Sequence, residues 1–170
     1  FGVWLSARQV TRWVPNFEGL SLLDAGCGFD ARLARSFLPQ VSKLTLLDVD
    51  LAADLDSTPK VDCLRGALPA TLERVTDSSL DVVLCLSVLE HLWQPEVALA
   101  HFHRVLRPGG KCLINVPSWR GKYFLEYSAF RLGMSPKAEM DDHKAYYDPR
   151  DLWPLLVRAG FIPSQIQCFK

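Results

Sequence analysis

The chain has 170 residues, 49% hydrophobic and 22% charged, with 19 basic and 19 acidic residues and a formal net charge of zero. Those are ordinary globular proportions, and the length suits a single domain over 1–170 with a core of its own. Balanced charge weighs against a nucleic-acid partner, since neutralising phosphates takes a basic face, and no apolar run nears the roughly 18 residues of a membrane span.

In chain order, the N-terminal part, 1–16, holds a short helix over 6–14, with Val10, Trp13 and Val14 on one side and Pro15 as its stop. The run 21–25 reads as the first strand. A helix over 31–38 follows, with Leu33, Ala34, Phe37 and Leu38 on one face and Pro39 at its end. The second strand is 43–48. Residues 51–57 leave room for two helical turns before a third strand at 61–65. A short helix is expected over 70–75, and Asp77-Ser78-Ser79 is a turn. The fourth strand, 80–86, is a continuous apolar run, as in a strand buried on both faces.

Pro95 opens the next helix, which runs to about residue 106 with Ala98, Phe102, Val105 and Leu106 on one face. Pro108-Gly109-Gly110 breaks it, and 111–116 is the fifth strand. An irregular segment, 117–147, is rich in aromatics and in both charges. The last helix starts with Asp148 as N-cap and Pro149 at its first position. Leu152, Leu155, Leu156 and Ala159 line one face, Pro154 should kink it, and Gly160 ends it. The run 161–169 is expected to be a strand.

Alternating strands and helices imply right-handed βαβ units and an open, doubly wound, mostly parallel α/β sheet. In such sheets ligands bind beyond the carboxyl ends of the strands, where the strand order reverses. Asp24, Gly26, Cys27 and Gly28 follow the first strand, and Asp48 and Val49 close the second. Gly66, Ala67 and Leu68 follow the third, and Cys85 and Leu86 end the fourth. All should converge on one crevice. Gly26, Gly28 and Ala31 match Gly-x-Gly-x-x-Gly/Ala, and Asp48 lies twenty positions after Gly28. Glycines let backbone approach a ligand, and an acid at that spacing accepts from a ribose diol. The residues alone leave open a dinucleotide, another nucleoside-bearing cofactor, or a tight turn that binds nothing.

Several ordered blocks over about 20–165 resemble the class I S-adenosylmethionine-dependent methyltransferases, in their small-molecule, type 11-like branch. Asp24, Gly26, Cys27 and Gly28 are similar to that family's first motif. Leu80-Asp81-Val82-Val83 with Ser87-Val88-Leu89-Glu90-His91-Leu92 resembles its fourth-strand block. Arg104 to Gly110 resembles the turn before its fifth strand, and Asp142-His143 to Tyr147 with Ala159-Gly160-Phe161 its closing helix.

The resemblance implies a Rossmann-like fold and S-adenosylmethionine as cofactor, with S-adenosylhomocysteine as product. It places Asp24 near the methionine amino group and Gly26, Cys27 and Gly28 against the methionine and ribose. Asp48, with Val49 beside it, takes the ribose hydroxyls. Gly66, Ala67 and Leu68 flank the adenine, and Cys85 and Leu86 offer backbone to the methionine end. The charge logic agrees: a carboxylate ahead of the glycines opposes a pyrophosphate and suits an ammonium. Two positions depart from the family pattern. Asp30 stands where a third glycine is usual, and Ala67 where an acid is.

Methyl transfer from a sulfonium asks mainly for positioning and desolvation, and no metal is expected. The histidines at 91, 101, 103 and 143 form no ligand set. His91 and His143 are the candidate bases for a hydroxyl or acid acceptor, because an imidazole titrates near neutrality. Their alternative roles are buttressing the loop after the fourth strand and capping the lid. Glu90 is read as orienting that same loop. The segment 117–147 is the expected lid over a small-molecule acceptor, with Trp119, Tyr123, Phe124, Tyr127, Tyr146 and Tyr147 as its candidate walls. No Asn-Pro-Pro-Tyr follows the fourth strand, which weighs against DNA as substrate.

The family usually adds a seventh strand, so the sheet here is expected to be short of its last strand. The chain opens on Phe1, so residues upstream of it are expected. The five cysteines, 27, 63, 85, 112 and 168, contain no Cys-x-x-Cys pair and read as reduced core residues of a cytoplasmic protein. A non-catalytic or regulatory domain of the same family is the alternative reading, and an NAD-dependent enzyme a more distant one. Acceptor and oligomeric state are not written in these residues.

Overall fold

The computed structural model describes residues 2–119 and 145–168. Five strands carry the architecture: β1 (Ser21–Ala25), β2 (Lys43–Asp48), β3 (Val61–Arg65), β4 (Leu80–Leu86) and β5 (Leu106–Asn115). They form one parallel sheet in the order β3-β2-β1-β4-β5. The chain therefore steps outward from β1 to β3, then crosses back to β4 on the other side. The reversal lies between β1 and β4, where Asp24 sits opposite both Leu46 and Leu84.

Strand periodicity sends neighbouring side chains to opposite faces. Leu22, Leu44, Leu46, Val82 and Leu84 face one apolar cluster with Val10, Val14, Phe17, Ala34, Phe37 and Leu55. Leu23, Ala25, Leu47, Val83 and Cys85 face the other, with Ala98, Leu99, Phe102 and Leu156. Both faces of the inner strands are covered, so β1, β2 and β4 read as largely apolar runs. Helices α1 (Gly2–Trp13) and α2 (Arg32–Arg35) cover the first face. Helices α3 (Pro95–Val105) and α4 (Pro149–Arg158) pack on the second, with Leu152, Leu155 and Ala159 joining Leu156 against it.

At the amino ends of the strands, Asp81 accepts from Ser21 N–H at 2.8 Å and from Arg107 Nη1 at 2.6 Å. One carboxylate thus ties β1, β4 and the start of β5 together. At the head of α4, Asp148 and Asp151 form a capping box, in which Asp148 N–H donates to Asp151 Oδ2 at 3.0 Å. Replacing Asp148 by alanine is expected to lower stability by about 1 kcal/mol. Urea unfolding checks this, and an unchanged midpoint would show that packing alone sets the start of the helix.

The bounds of β1 to β4 coincide with those read from the sequence; other elements differ, among them α1, which begins at Gly2 rather than at residue 6. The helix expected over 31–38 is α-helical only over Arg32–Arg35. Beyond it Ser36, Phe37 and Leu38 donate to carbonyls three residues back, which tightens the coil while Ala34 and Phe37 stay buried. The stretches expected as short helices near 51–57 and 70–75 are 3-10 turns, Ala53–Ser57 and Ala70–Arg74. Strand β5 starts at Leu106, not Lys111: Leu106 pairs with Leu80, and the register then shifts before Val82 meets Lys111, so the Pro-Gly-Gly turn becomes an irregularity inside the strand. The strand expected over 161–169 is absent among the described residues, where Pro163–Gln165 forms a 3-10 turn. Pro163 has no N–H to give a ladder, and the side chains around it are largely exposed.

Candidate functional site

The crevice at the carboxyl ends is built by three turns that bond to one another. The first leaves β1 at Asp24-Ala25-Gly26. Gly26 has φ +79, its N–H donates to Leu47 C=O at 2.7 Å, and a Cβ added there would lie 2.3 Å from Val88 Cγ2. Only glycine lets this turn press against the loop after β4. Two residues on, Gly28 (φ +74) donates its N–H to Asp48 Oδ2 at 2.7 Å, and a Cβ there would meet nothing within 4 Å. This second glycine therefore borders open space.

Asp48 ends β2 and organises its surroundings. Its Oδ1 accepts from Val49 N–H at 2.8 Å, its Oδ2 from Gly28, and its C=O from Gly66 N–H at 2.9 Å. Gly66 follows β3 with φ +151, and a Cβ there would fall 2.2 Å from Thr71 Oγ1. Thr71 spends its own hydroxyl and N–H on Ala67 C=O, at 2.9 and 3.1 Å. Engaged twice, the Ala67 carbonyl has little capacity for a further donor.

Asp24 is 3% exposed, on the strand next to the one that Asp48 ends, and within electrostatic reach of Asp48. Burial, and then the charge of Asp48, push its carboxyl up to about 7. Burial, with Asp24 and Asp48 adding to it, also drives the Cys27 thiol well above its ordinary value, so Cys27 stays protonated and inert. Asp30, the departure in the glycine turn, accepts from Arg32 Nη2 at 2.9 Å and Nε at 3.1 Å. Its charge is answered within the turn.

On the β4 side Cys85 is buried, and burial raises its thiol too. Ser87 takes φ +57 and donates its N–H to Asn115 C=O at 2.9 Å, joining the ends of β4 and β5. A 3-10 turn, Leu89–His91, follows. Glu90 within it is 1% exposed, its Oε2 has no hydrogen-bond partner among the described residues, and burial raises its carboxyl. Its C=O accepts from Ala145 N–H at 3.2 Å, and Pro117 C=O accepts from Tyr147 N–H at 3.1 Å. The chain returning at 145–147 is thus moored to the rim of the crevice, where the Trp119 and Tyr146 rings meet at 5.4 Å.

The structure brings Asp24, Gly26, Cys27, Gly28, Asp48, Val49, Gly66, Ala67, Leu68, Cys85 and Leu86 to one end of the sheet, with His91 at its edge. His143, Tyr123, Phe124 and Tyr127 lie outside the described residues. Sequence reasoning did not single out Val88 or Thr71. Both matter because they fill the space that Gly26 and Gly66 leave; Thr71 does so from within its own turn, and Val88 from across the fold, with no signal in local spacing. Among the described residues no three His, Cys, Asp or Glu side chains gather as a metal site, and no helix is long and apolar enough to cross a membrane.

Chemically, the crevice offers a buried carboxyl, a carboxylate at a strand end, and open backbone between them. That set suits a ligand with a cationic amine at one end and a vicinal diol further along.

Comparison with known proteins agrees with this chemistry. A family described as "Methyltransferase domain" matches residues 23–114. A protein of Mycolicibacterium smegmatis named "Probable S-adenosylmethionine-dependent methyltransferase" is 36% identical over 165 residues, covering 93% of this chain and 59% of that protein. A ubiquinone biosynthesis O-methyltransferase of Cereibacter sphaeroides is 31% identical, covering 92% of this chain and 65% of its own length. The crystal structure of a SAM-dependent methyltransferase from Archaeoglobus fulgidus superposes with a TM-score of 0.66 at 20% identity, covering 94% of this chain and 69% of that one, a likeness of fold. The chain spans between 56% and 59% of the length of the first three curated relatives that it matches.

Proposed function

This chain belongs to the class I S-adenosylmethionine-dependent methyltransferases of the type 11 branch, and on that premise we propose that it moves a methyl group from S-adenosylmethionine to a small-molecule acceptor. The observation that carries the reading is Asp24. A buried carboxyl beneath the glycine turn, with Asp48 close by, would repel a pyrophosphate and welcome an ammonium.

When bound, S-adenosylmethionine would supply a methyl already activated on a sulfonium, with a neutral thioether as its leaving group. The protein's part is binding and alignment. Asp24 pairs with the amino group, and Asp48 accepts from the two ribose hydroxyls with lone pairs left over from Gly28 and Val49. Gly26, Cys27 and Gly28 form the floor, and Gly66, Ala67 and Leu68 the flank of the base. Cys85 and Leu86 present backbone at the amino-acid end. A hydroxyl acceptor must also lose a proton, and His91 at the rim of the crevice, or His143, would take it. The Cereibacter relative's name fits a hydroxyl acceptor. Balanced charge favours a small molecule over a nucleic acid, and free cysteines fit a reducing compartment such as the cytoplasm.

Calorimetric titration with S-adenosylhomocysteine, S-adenosylmethionine and NAD tests the cofactor. Micromolar binding of the first two, about −8 kcal/mol, without heat from NAD is expected. Heat from NAD alone would overturn the reading. Asp48→Ala is expected to weaken binding about tenfold or more, since hydrogen bonds to a charged group are each worth about 1.5–3 kcal/mol. Unchanged affinity would take the ribose away from Asp48.

A further inference from the structure

Phe29 is a large apolar side chain left 55% exposed, although Phe17 and Phe37 close by are stacked in the core. The backbone explains why it stays outside. Gly28 (φ +74) and Ala31 (φ +46) both take left-handed conformations around it, and its C=O accepts from Ala52 N–H at 3.0 Å. The turn is thereby pinned to the loop after β2, with residue 29 outside the cluster that Ala31 and Ala34 join.

Its neighbourhood is equally specific. The Gly28 N–H to Asp48 Oδ2 bond, 2.7 Å long, joins the two residues that Phe29 and Val49 directly follow in the chain. Val49 is 69% exposed. A Cβ at Gly28 would meet nothing within 4 Å, so there is open room at the glycine that bonds the carboxylate. Two exposed apolar residues, each next in the chain to a member of the Gly28–Asp48 pair, match a ligand that is polar at its sugar and flat and apolar at its base.

We propose that Phe29 is a nucleoside-binding residue, folding over the ribose and base held at Asp48 and packing them against Val49. The inference rests on the cofactor reading above and adds a residue to it. An aromatic face over a base is worth about tenfold or more in affinity, and the ring of Phe29 has no place in the core to lose.

Titration of S-adenosylhomocysteine and of adenosine into wild type, Phe29→Ala and Phe29→Leu decides it. Phe29→Ala should weaken both ligands about tenfold, and Phe29→Leu should weaken both by less. The melting temperature of the ligand-free protein should be the same for all three, which separates a binding role from a structural one. Wild-type affinity for S-adenosylhomocysteine in Phe29→Ala would overturn the proposal. A loss seen with S-adenosylhomocysteine but not with adenosine would also overturn it, by moving the ring to the amino-acid end. Failure of the wild type to bind either ligand would instead overturn the cofactor reading itself, and this one with it.

Discussion

Asp24→Asn is expected to weaken binding of S-adenosylhomocysteine about 100-fold or more. Removing one partner of a buried ion pair costs about 3–5 kcal/mol, and each 1.4 kcal/mol is a factor of ten. The same residue makes wild-type binding pH-dependent. With its carboxyl raised to about 7 by burial and by Asp48, Asp24 holds a proton in the empty crevice below neutrality. A cationic amine must displace that proton. Affinity should therefore rise with pH up to about 7 and level off above it, falling up to tenfold for each pH unit below.

Stability of the ligand-free protein runs the other way. The unfolded chain ionises Asp24 near 3.8 and the folded one only near 7, so the folded state holds more protons between those values. Stability falls as pH rises through that window, by on the order of 4 kcal/mol from this group, and is level above it. Asparagine removes both dependences. Urea unfolding and calorimetry at pH 5, 6, 7 and 8 on wild type and Asp24→Asn check the signs. Identical pH profiles in the two proteins would show that Asp24 does not titrate in this range.

Gly26→Ala should destabilise the fold by roughly 3 kcal/mol, from two sources. A left-handed φ of +79 strains any residue with a Cβ by about 1–2 kcal/mol. The added carbon also falls 2.3 Å from Val88 Cγ2, and overpacking of this kind costs about 1–3 kcal/mol. Gly28→Ala has the same sign of φ but nothing within 4 Å of the new carbon, so it carries the strain without the clash. Val88→Ala removes the methyl groups that the carbon added at position 26 would strike. The double variant Gly26→Ala/Val88→Ala should therefore be more stable than the sum of the single losses predicts. A double-mutant cycle in urea measures this coupling, and strict additivity would mean that the β1 turn does not rest on Val88.

Much of the sheet was legible because its evidence is local. The runs that became β1, β2 and β4 are largely apolar, short and bounded by turn residues, and a strand buried on both faces needs little more; the edge strand β3 was legible as a short run between turns. The positions that close these strands, Asp24, Asp48, Gly66 and Leu86, were legible for the same reason. Elements whose limits depend on competition between bonds were less so. Helix α2 tightens after four residues because its later N–H groups reach carbonyls three back. Strand β5 absorbs a Pro-Gly-Gly turn because Leu106 finds Leu80 across the sheet. The run from Phe161 has the apolar content of a strand, yet Pro163 denies it a ladder bond.

By itself, then, the sequence determined an alternating α/β chain and the ends of its first four strands, which follow from periodicity and spacing, and it carried the ordered motifs by which the chain resembles its family. A chain holds all of these before it folds. Only the tertiary structure decided that Val88 occupies the room left by Gly26, that Thr71 fills the space under Gly66, that Arg32 answers Asp30, and that Phe29 stands outside the core beside Asp48. It also decided the state of Asp24, since a carboxyl near 7 needs both the burial that folding imposes and the charge of Asp48 brought beside it. Contacts between residues far apart in the chain obey no local period, so they come into being only when the strands pair and bring their turns to one end of the sheet.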